Sequence, residues 1–368
     1  MPQRVGILAV MTAAEIASGR LHHQLLTGST TRSPTAVVRT LLAVQGQDYL
    51  ASLWAVAVRT PGATERAVEE SLERRELVRT WPMRGTLHLM AAEDARWMTE
   101  LLTPKVITGL ATRYRQLGLD DAVFDRCRAA FEEALHGGRQ ITRPDAHVLL
   151  DGLGVPATQA RSHILGVLCM RCVLVGANRQ GKQPTFALFE EWAPAAGSLP
   201  REEALAQLAR RYFTSHGPAT EQDLQWWSGL TLQQIREAIA MVAADLEETV
   251  VDGVSYWSGP GTVPSLDPAA ILLLPSFDEY LLGYRDRSAS LDRAHATGVN
   301  PGGNGMFNPL VVVGGRVRGT WKRTIKRDAV EIVTTPFHRF TKREDRAIAA
   351  EAERYGAFLG LPVVVRPG

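Results

Sequence analysis

Apolar residues recur at helical spacing on both sides of residues 45–48. Val37, Val38, Leu41 and Leu42 share one face before that point, and Leu50, Leu53, Trp54 and Ala57 share one after it, which predicts two helices. Gln45-Gly46-Gln47-Asp48 stands between them, outside the apolar pattern. Further on, the pattern repeats as helix, turn, helix and paired strands. In the clearest copy Thr142 caps a helix over 143–150, a Gly-rich turn with Pro156 follows, and a second helix runs over 157–171. Strands over 173–176 and 185–189 are joined by the polar tip Asn178-Arg179-Gln180-Gly181-Lys182. The next copy predicts helices over 201–213, 220–227 and 232–242. Its hairpin, over 248–257, turns on Asp252-Gly253, a pair suited to a type I′ turn. A looser copy comes first, with helices over 13–26 and 64–74, strands over 78–81 and 86–90, and a turn over 82–85. The economical reading is three tandem winged helices, over 1–136, 137–196 and 197–264.

Beyond residue 265 the pattern changes to short β runs, over 271–275, 310–321, 329–333 and 362–366, with one helix over 342–359. This predicts an α+β chain ending in a small β-barrel-like domain, 265–368. The Gly- and Pro-containing stretch 300–305 reads as part of a long loop. Gly314-Gly315 between two β runs suits a type I′ hairpin, and Arg316, Arg318, Lys322 and Arg323 follow it. A rigid basic hairpin of this kind is suited to probing a minor groove.

Composition narrows the function classes. A chain of 368 residues with 45% hydrophobic and 22% charged residues has ordinary globular composition. No apolar run approaches the roughly 18 residues of a membrane span, and MPQRVGILAVMTAAE has too short an apolar core for a signal peptide, so a cytoplasmic protein is expected. Cys127, Cys169 and Cys172 cannot build a disulfide framework and read as buried structural thiols. The formal net charge of +2 hides local asymmetry. Residues 139–189 carry Arg139, Arg143, Arg161, Arg171, Arg179 and Lys182 against Asp145 and Asp151, a balance of +4. Residues 311–327 carry six cations and no acid. Separate basic stretches fit either one positive face for nucleic acid or solvated surface charge.

The glutamine pair is the candidate chemistry. Two residues apart on a continuous helix, the two side chains would point about 200° apart. They converge only if the helix breaks, and Gly46, with Asp48 as an N-cap, offers the break. Two readings stand at this level: both amides satisfy backbone groups at a helix junction, or they form a polar site.

Gln45-Gly46-Gln47-Asp48 with Trp54, Arg79-Thr-Trp-Pro-Met-Arg-Gly-Thr-Leu-His-Leu89, Leu274-Pro-Ser-Phe-Asp-Glu-Tyr280 with Gly283-Tyr-Arg-Asp-Arg287, and Gly314-Gly-Arg-Val-Arg-Gly-Thr-Trp321 resemble the AlkZ-like winged-helix DNA glycosylases. These motifs extend from residue 45 to 321. The resemblance implies a C-shaped array of three winged helices plus a β-barrel-like domain, enclosing duplex DNA on a basic concave surface. It implies hydrolysis of the glycosidic bond of bulky or crosslinking N7-alkylguanine adducts, as part of DNA repair or of self-resistance to a genotoxic antibiotic. The family's catalytic motif, two glutamines around a small or aliphatic residue, maps onto Gln45 and Gln47, with Gly46 smaller than the usual aliphatic residue. Arg84 at the wing turn and His88, which the resemblance places near the motif, are candidate DNA contacts, with a satisfied structural histidine the alternative for His88. So are Arg161, Arg179 and Lys182, and Arg316, Arg318, Lys322 and Arg323.

The chemistry is coherent on its own terms. Glutamine has no titrating proton; its carbonyl accepts and its amide donates hydrogen bonds. N7-alkylation makes guanine a cationic leaving group, so positioning a water and stabilising the developing sugar cation suffice. Neither cofactor nor metal is expected: Asp278 and Glu279 lack nearby His or Cys ligands. Trp81, Trp226, Trp227, Trp257 and Trp321 read as packing aromatics, and the protein as a nucleoid-associated monomer acting on alkylated double-stranded DNA. The contrasting expectation is a winged-helix regulator or damage binder without catalysis.

Overall fold

A computed structural model describes residues 11–157, 159–303 and 305–367; the first ten residues of the N-terminal stretch considered above lie outside it. The chain divides into two compact units, one of Ser33–Val56 and Glu65–Leu205, the other built around Ala206–Gly368 with the segments preceding Ser33 and Ala57–Thr64.

The first unit carries a six-stranded sheet. Its strands are β1 (Ala43–Gln45), β2 (Leu77–Met83), β3 (Thr86–Ala91), β4 (Ile141–Thr142), β5 (Leu174–Gly176) and β6 (Thr185–Leu188), in the order β1-β3-β2-β5-β6-β4. The hairpins expected as the wings of the first two units therefore join edge to edge, with Arg79 opposite Gly176. A Cβ at residue 176 would sit 2.8 Å from the Arg79 carbonyl oxygen, so the close approach needs glycine. Arg84 (φ 52) and Gly85 (φ 68) make the β2–β3 turn with both central residues left-handed, as a type I′ turn requires. The helices Ala92–Gly109 and Asp121–Leu135 were not anticipated; the first contains Pro104, a residue that reads as a breaker. Phe124, Phe131, Leu165, Leu168 and Phe186 pack into this unit's core together with Cys127 and Cys169. All three cysteines are free and buried, and burial pushes their thiol pKa values up.

In the second unit β7 (Glu247–Val251) and β8 (Val254–Ser258) form a separate hairpin on Asp252-Gly253, both with positive φ. The strands β9 (Ile271–Leu274), β10 (Leu310–Val313), β11 (Arg316–Ile325), β12 (Val330–Pro336) and β13 (Val363–Pro367) form one sheet in the order β13-β12-β11-β10-β9. This corrects the barrel expectation, because the sheet is open. The helix Lys342–Leu359 packs against β9 and β13, and Tyr355 meets the buried Trp321 with ring centroids 5.2 Å apart. The apolar face is thus covered by a helix and has no need to curl on itself. The same helix is the crossover that allows β13 to pair parallel to β12.

Buried charge organises this unit. Arg59 donates to both carboxylate oxygens of Asp278 at 2.8 Å, and neither side chain is exposed. Glu279 accepts from Trp227 Nε1 at 2.9 Å and lies 3.5 Å from His216 Nε2. The acids of Phe277-Asp278-Glu279 are therefore structural: Asp278 also caps the helix Glu279–Leu282 through Tyr280 N–H. Trp227 and Trp321 are core residues as expected, whereas Trp226 is 46% exposed.

Candidate active site

The route from helix to site is steep. The helix Pro34–Leu41 ends at Leu42, buried with φ 67, a conformation a bulky side chain rarely adopts. That turn feeds β1, which pairs with β3 so that Val44 faces Leu89 and Gln45 faces His88. Gly46 N–H continues the ladder to Leu87 O at 2.7 Å. Asp48 then accepts from Ala51 N–H at 3.0 Å and opens the helix Tyr49–Ala57, which is the expected N-cap.

Gln45 is the last residue of β1 and Gln47 stands in the bend that follows it. Gln45 Nε2 donates to Gln47 Oε1 at 2.7 Å. The convergence is achieved where β1 ends and the chain bends at Gln47 and Asp48, whereas the sequence suggested a break in a helix. Gln45 is buried and Gln47 exposed, so one amide anchors the pair and the other meets solvent. The bond leaves the Gln45 carbonyl oxygen, the second lone pair of Gln47 Oε1 and the Gln47 NH₂ as groups a water or substrate can engage.

Arg79 was missed as a site residue, although it stands within the second motif. It is a charged residue in a strand whose other positions are almost all buried, which was the available signal. Its Nη2 donates to Gly46 O at 2.9 Å, so the middle of the Gln motif is held at both its N–H and its carbonyl. The guanidinium lies 4.9 Å from the Tyr49 ring centroid, and that of Arg179 lies 4.3 Å from the same centroid. Tyr49 Oη in turn donates to Glu69 at 3.0 Å. These side chains border a cavity of about 240 Å³ lined by Gln47, Tyr49, Arg79, Trp81, Arg143, Arg179 and Lys182 among others. Trp81 packs against the core as expected, its ring stacked on Phe186 with centroids 6.4 Å apart, and it also lines the cavity.

The other expected contacts divide. His88 is completely buried and does not present itself to a ligand; this corrects its reading as a DNA contact. Its Nδ1 lies 2.9 Å from the Thr86 carbonyl, which can only accept, so Nδ1 carries the proton and Nε2 faces Arg84 Nη2 at 3.5 Å. Arg84 is half-buried at the turn. Arg161 does not line the cavity: its guanidinium is spent on Asp151 and the Val155 carbonyl.

Arg316, Arg318, Lys322 and Arg323 belong to the other unit, on β11. Gly314 and Gly315 have the left-handed φ values of a type I′ turn, but the turn is no free projection. Gly314 N–H bonds Ala270 O, Tyr280 Oη donates to Gly315 O, and Arg316 Nη1 donates to the Ser288 and Ala289 carbonyls. The exposed basic end is the other one, where Lys322, Lys326 and Arg327 flank the β11–β12 turn with the 46% exposed Ile325.

The site is thus a pair of amides at the end of β1, held through Gly46 by the buried Arg79 and beside a cationic cavity. The chain is a member of the AlkZ-like DNA glycosylases: the family model described as DNA glycosylase AlkZ-like matches residues 38–358. It is similar to the interstrand DNA cross-link repair glycosylase of Streptomyces sahachiroi, 26% identical over 353 residues that cover 92% of this chain and 94% of that protein. The solved structure of Streptomyces sahachiroi DNA glycosylase AlkZ superposes with a TM-score of 0.77 at 25% identity, covering 96% of this chain and 99% of that one. Among the described residues no helix is long and apolar enough to cross a membrane.

Proposed function

We propose that this glycosylase hydrolyses the N-glycosidic bond of N7-alkylguanine in double-stranded DNA, leaving an abasic site, with Gln45 and Gln47 as the catalytic residues. The observation that carries the proposal is the 2.7 Å bond between the two amides, which pair with each other and, among the described residues, with no acid, while Gln47 stays exposed. An enzyme that must protonate its leaving group needs an acid there; one whose substrate is already cationic does not. The C1′–N9 bond breaks, its electron pair neutralises the alkylated base, and water adds to C1′ of the sugar cation with loss of a proton to solvent. The amides hold that water, and their oxygens face the developing positive charge. Such a site is weak against ordinary purines, which protects undamaged DNA.

The name of the Streptomyces sahachiroi relative supports a role in unhooking interstrand crosslinks, which fall within the same substrate class when they join guanines through N7. The four-segment organisation, with winged helices over the first three segments, belongs to this proposal as its DNA-binding frame, and no cofactor enters it. Phosphate contacts are assigned to Arg84, Arg179, Lys182, Lys322 and Arg327. The test is release of free base from duplexes containing N7-methylguanine or a nitrogen-mustard crosslink. A protein that retards such DNA in a gel but frees no base would leave only the binding reading standing.

A further inference from the structure

The cavity beside Gln47 carries four cationic side chains, Arg79, Arg143, Arg179 and Lys182. Arg79 is only 8% exposed, and its Nε is shielded from solvent with no hydrogen-bond partner. Burial, with a smaller push from Arg179, lowers its pKa to about 10, so it remains charged at neutral pH. A buried cation with an unmet donor is costly unless something supplies the counter-charge. Two occupants can be compared. The alkylated base is itself cationic and is repelled by this lining. At about 240 Å³ the cavity is also smaller than the roughly 300–1,000 Å³ of pockets that enclose small molecules. A tetrahedral oxyanion has the opposite charge, fits the space, and matches the fork of donors that arginine presents.

We infer that this cavity is an oxyanion site that takes one phosphodiester of the lesion-bearing strand and keeps the alkylated base outside. Resting on the glycosylase reading above, the inference makes Arg79 a positioning residue: one guanidinium holds Gly46 through Nη2 and the strand through the rest, fixing the sugar against the glutamine pair.

The test has two arms on the full-length protein. In the first, inorganic phosphate replaces chloride at constant ionic strength while the Nε–Hε resonance of Arg79, assigned by its loss in Arg79→Lys, is followed by NMR. A saturable shift is expected, with apparent affinity at least about fivefold weaker in Arg179→Gln. In the second, a neutral methylphosphonate is walked through the positions flanking the adduct. One position is expected to slow single-turnover excision about 10- to 100-fold in the parent protein, the worth of a charge-assisted hydrogen bond, and less in Arg179→Gln, which has already lost one of the two guanidinium contacts to that phosphate. An unmoved Hε signal, or one that responds equally in Arg179→Gln, overturns the oxyanion site whether or not base is released. A phosphate response with equal methylphosphonate effects in both proteins overturns the strand anchor and leaves an adventitious ion only. Failure to release base from the unmodified-backbone duplex removes the glycosylase reading and the strand anchor with it, while the oxyanion site stands or falls on the Hε response alone.

Discussion

Truncating the two glutamines singly and together distinguishes a catalytic pair from two amides at a junction. Removing one preorganised hydrogen-bonding group from an active site costs about 10²- to 10³-fold in rate. Here each amide also fixes the other, through the bond from Gln45 Nε2 to Gln47 Oε1. Gln45→Ala frees the exposed Gln47 to rotate, and Gln47→Ala leaves Gln45 without its partner. Two groups that act as a unit are non-additive, so the double variant is expected to fall by about the same 10²- to 10³-fold, well short of the roughly 10⁴- to 10⁶-fold of independent groups. Stability changes little: a neutral hydrogen bond is worth about 1 kcal/mol net, and the solvent-exposed Gln47 rehydrates when its partner is lost. DNA affinity is expected to stay within about twofold, because neutral amides release no counterions. The assay is single-turnover release of N7-methylguanine from duplex DNA, with fluorescence anisotropy for affinity and thermal denaturation for stability. Multiplicative losses in the double variant, or rate, affinity and melting temperature falling together in the singles, would refute the argument.

Gly46→Ala is expected to be tolerated: the new Cβ meets Leu87, His88 and Leu89 backbone atoms at an ordinary 3.5 Å, and stability should rise by about 0.4–1 kcal/mol in urea denaturation, with excision within about twofold. Arg59→Ala leaves Asp278 buried without its countercharge and is expected to cost about 3–5 kcal/mol by the same measurement. Lys322→Ala and Arg327→Ala are each expected to reduce the salt slope of DNA binding by about 0.9, whereas Arg316→Ala, whose side chain is spent on the Ser288 and Ala289 carbonyls, should leave that slope unchanged; the reverse order would return the DNA contact to the Gly314-Gly315 turn. Burial holds the pKa of His23 below 6.5 despite its Nδ1 lying 2.8 Å from Gly217 O. Below 6.5 the unfolded chain takes up a proton that the folded chain resists, so stability is lost as pH falls through that value; melting curves from pH 7.5 to 5.5 should show the loss, reduced in His23→Gln.

Local rules in the sequence determined the parts of this protein whose causes are themselves local. The helix Lys342–Leu359, the helix Leu232–Val242 and the hairpin on Asp252-Gly253 lie where periodicity, a Thr cap and turn chemistry put them, because neighbours along the chain supply those forces. The Gln45-Gly46-Gln47 break was visible for the same reason: an apolar helical pattern has no use for it. Tertiary structure decided the rest. That β1 would be a strand depended on pairing with β3, more than forty residues away, which no local propensity records. Whether the C-terminal strands closed depended on the helix that covers them, and only the fold brings the Ser288 and Ala289 carbonyls to Arg316. Arg79 is the sharpest case. As a residue in a strand it is one arginine among many; only the fold buries it against Gly46, leaves its Nε without a hydrogen-bond partner among the described residues and lines the same cavity with Arg143, Arg179 and Lys182.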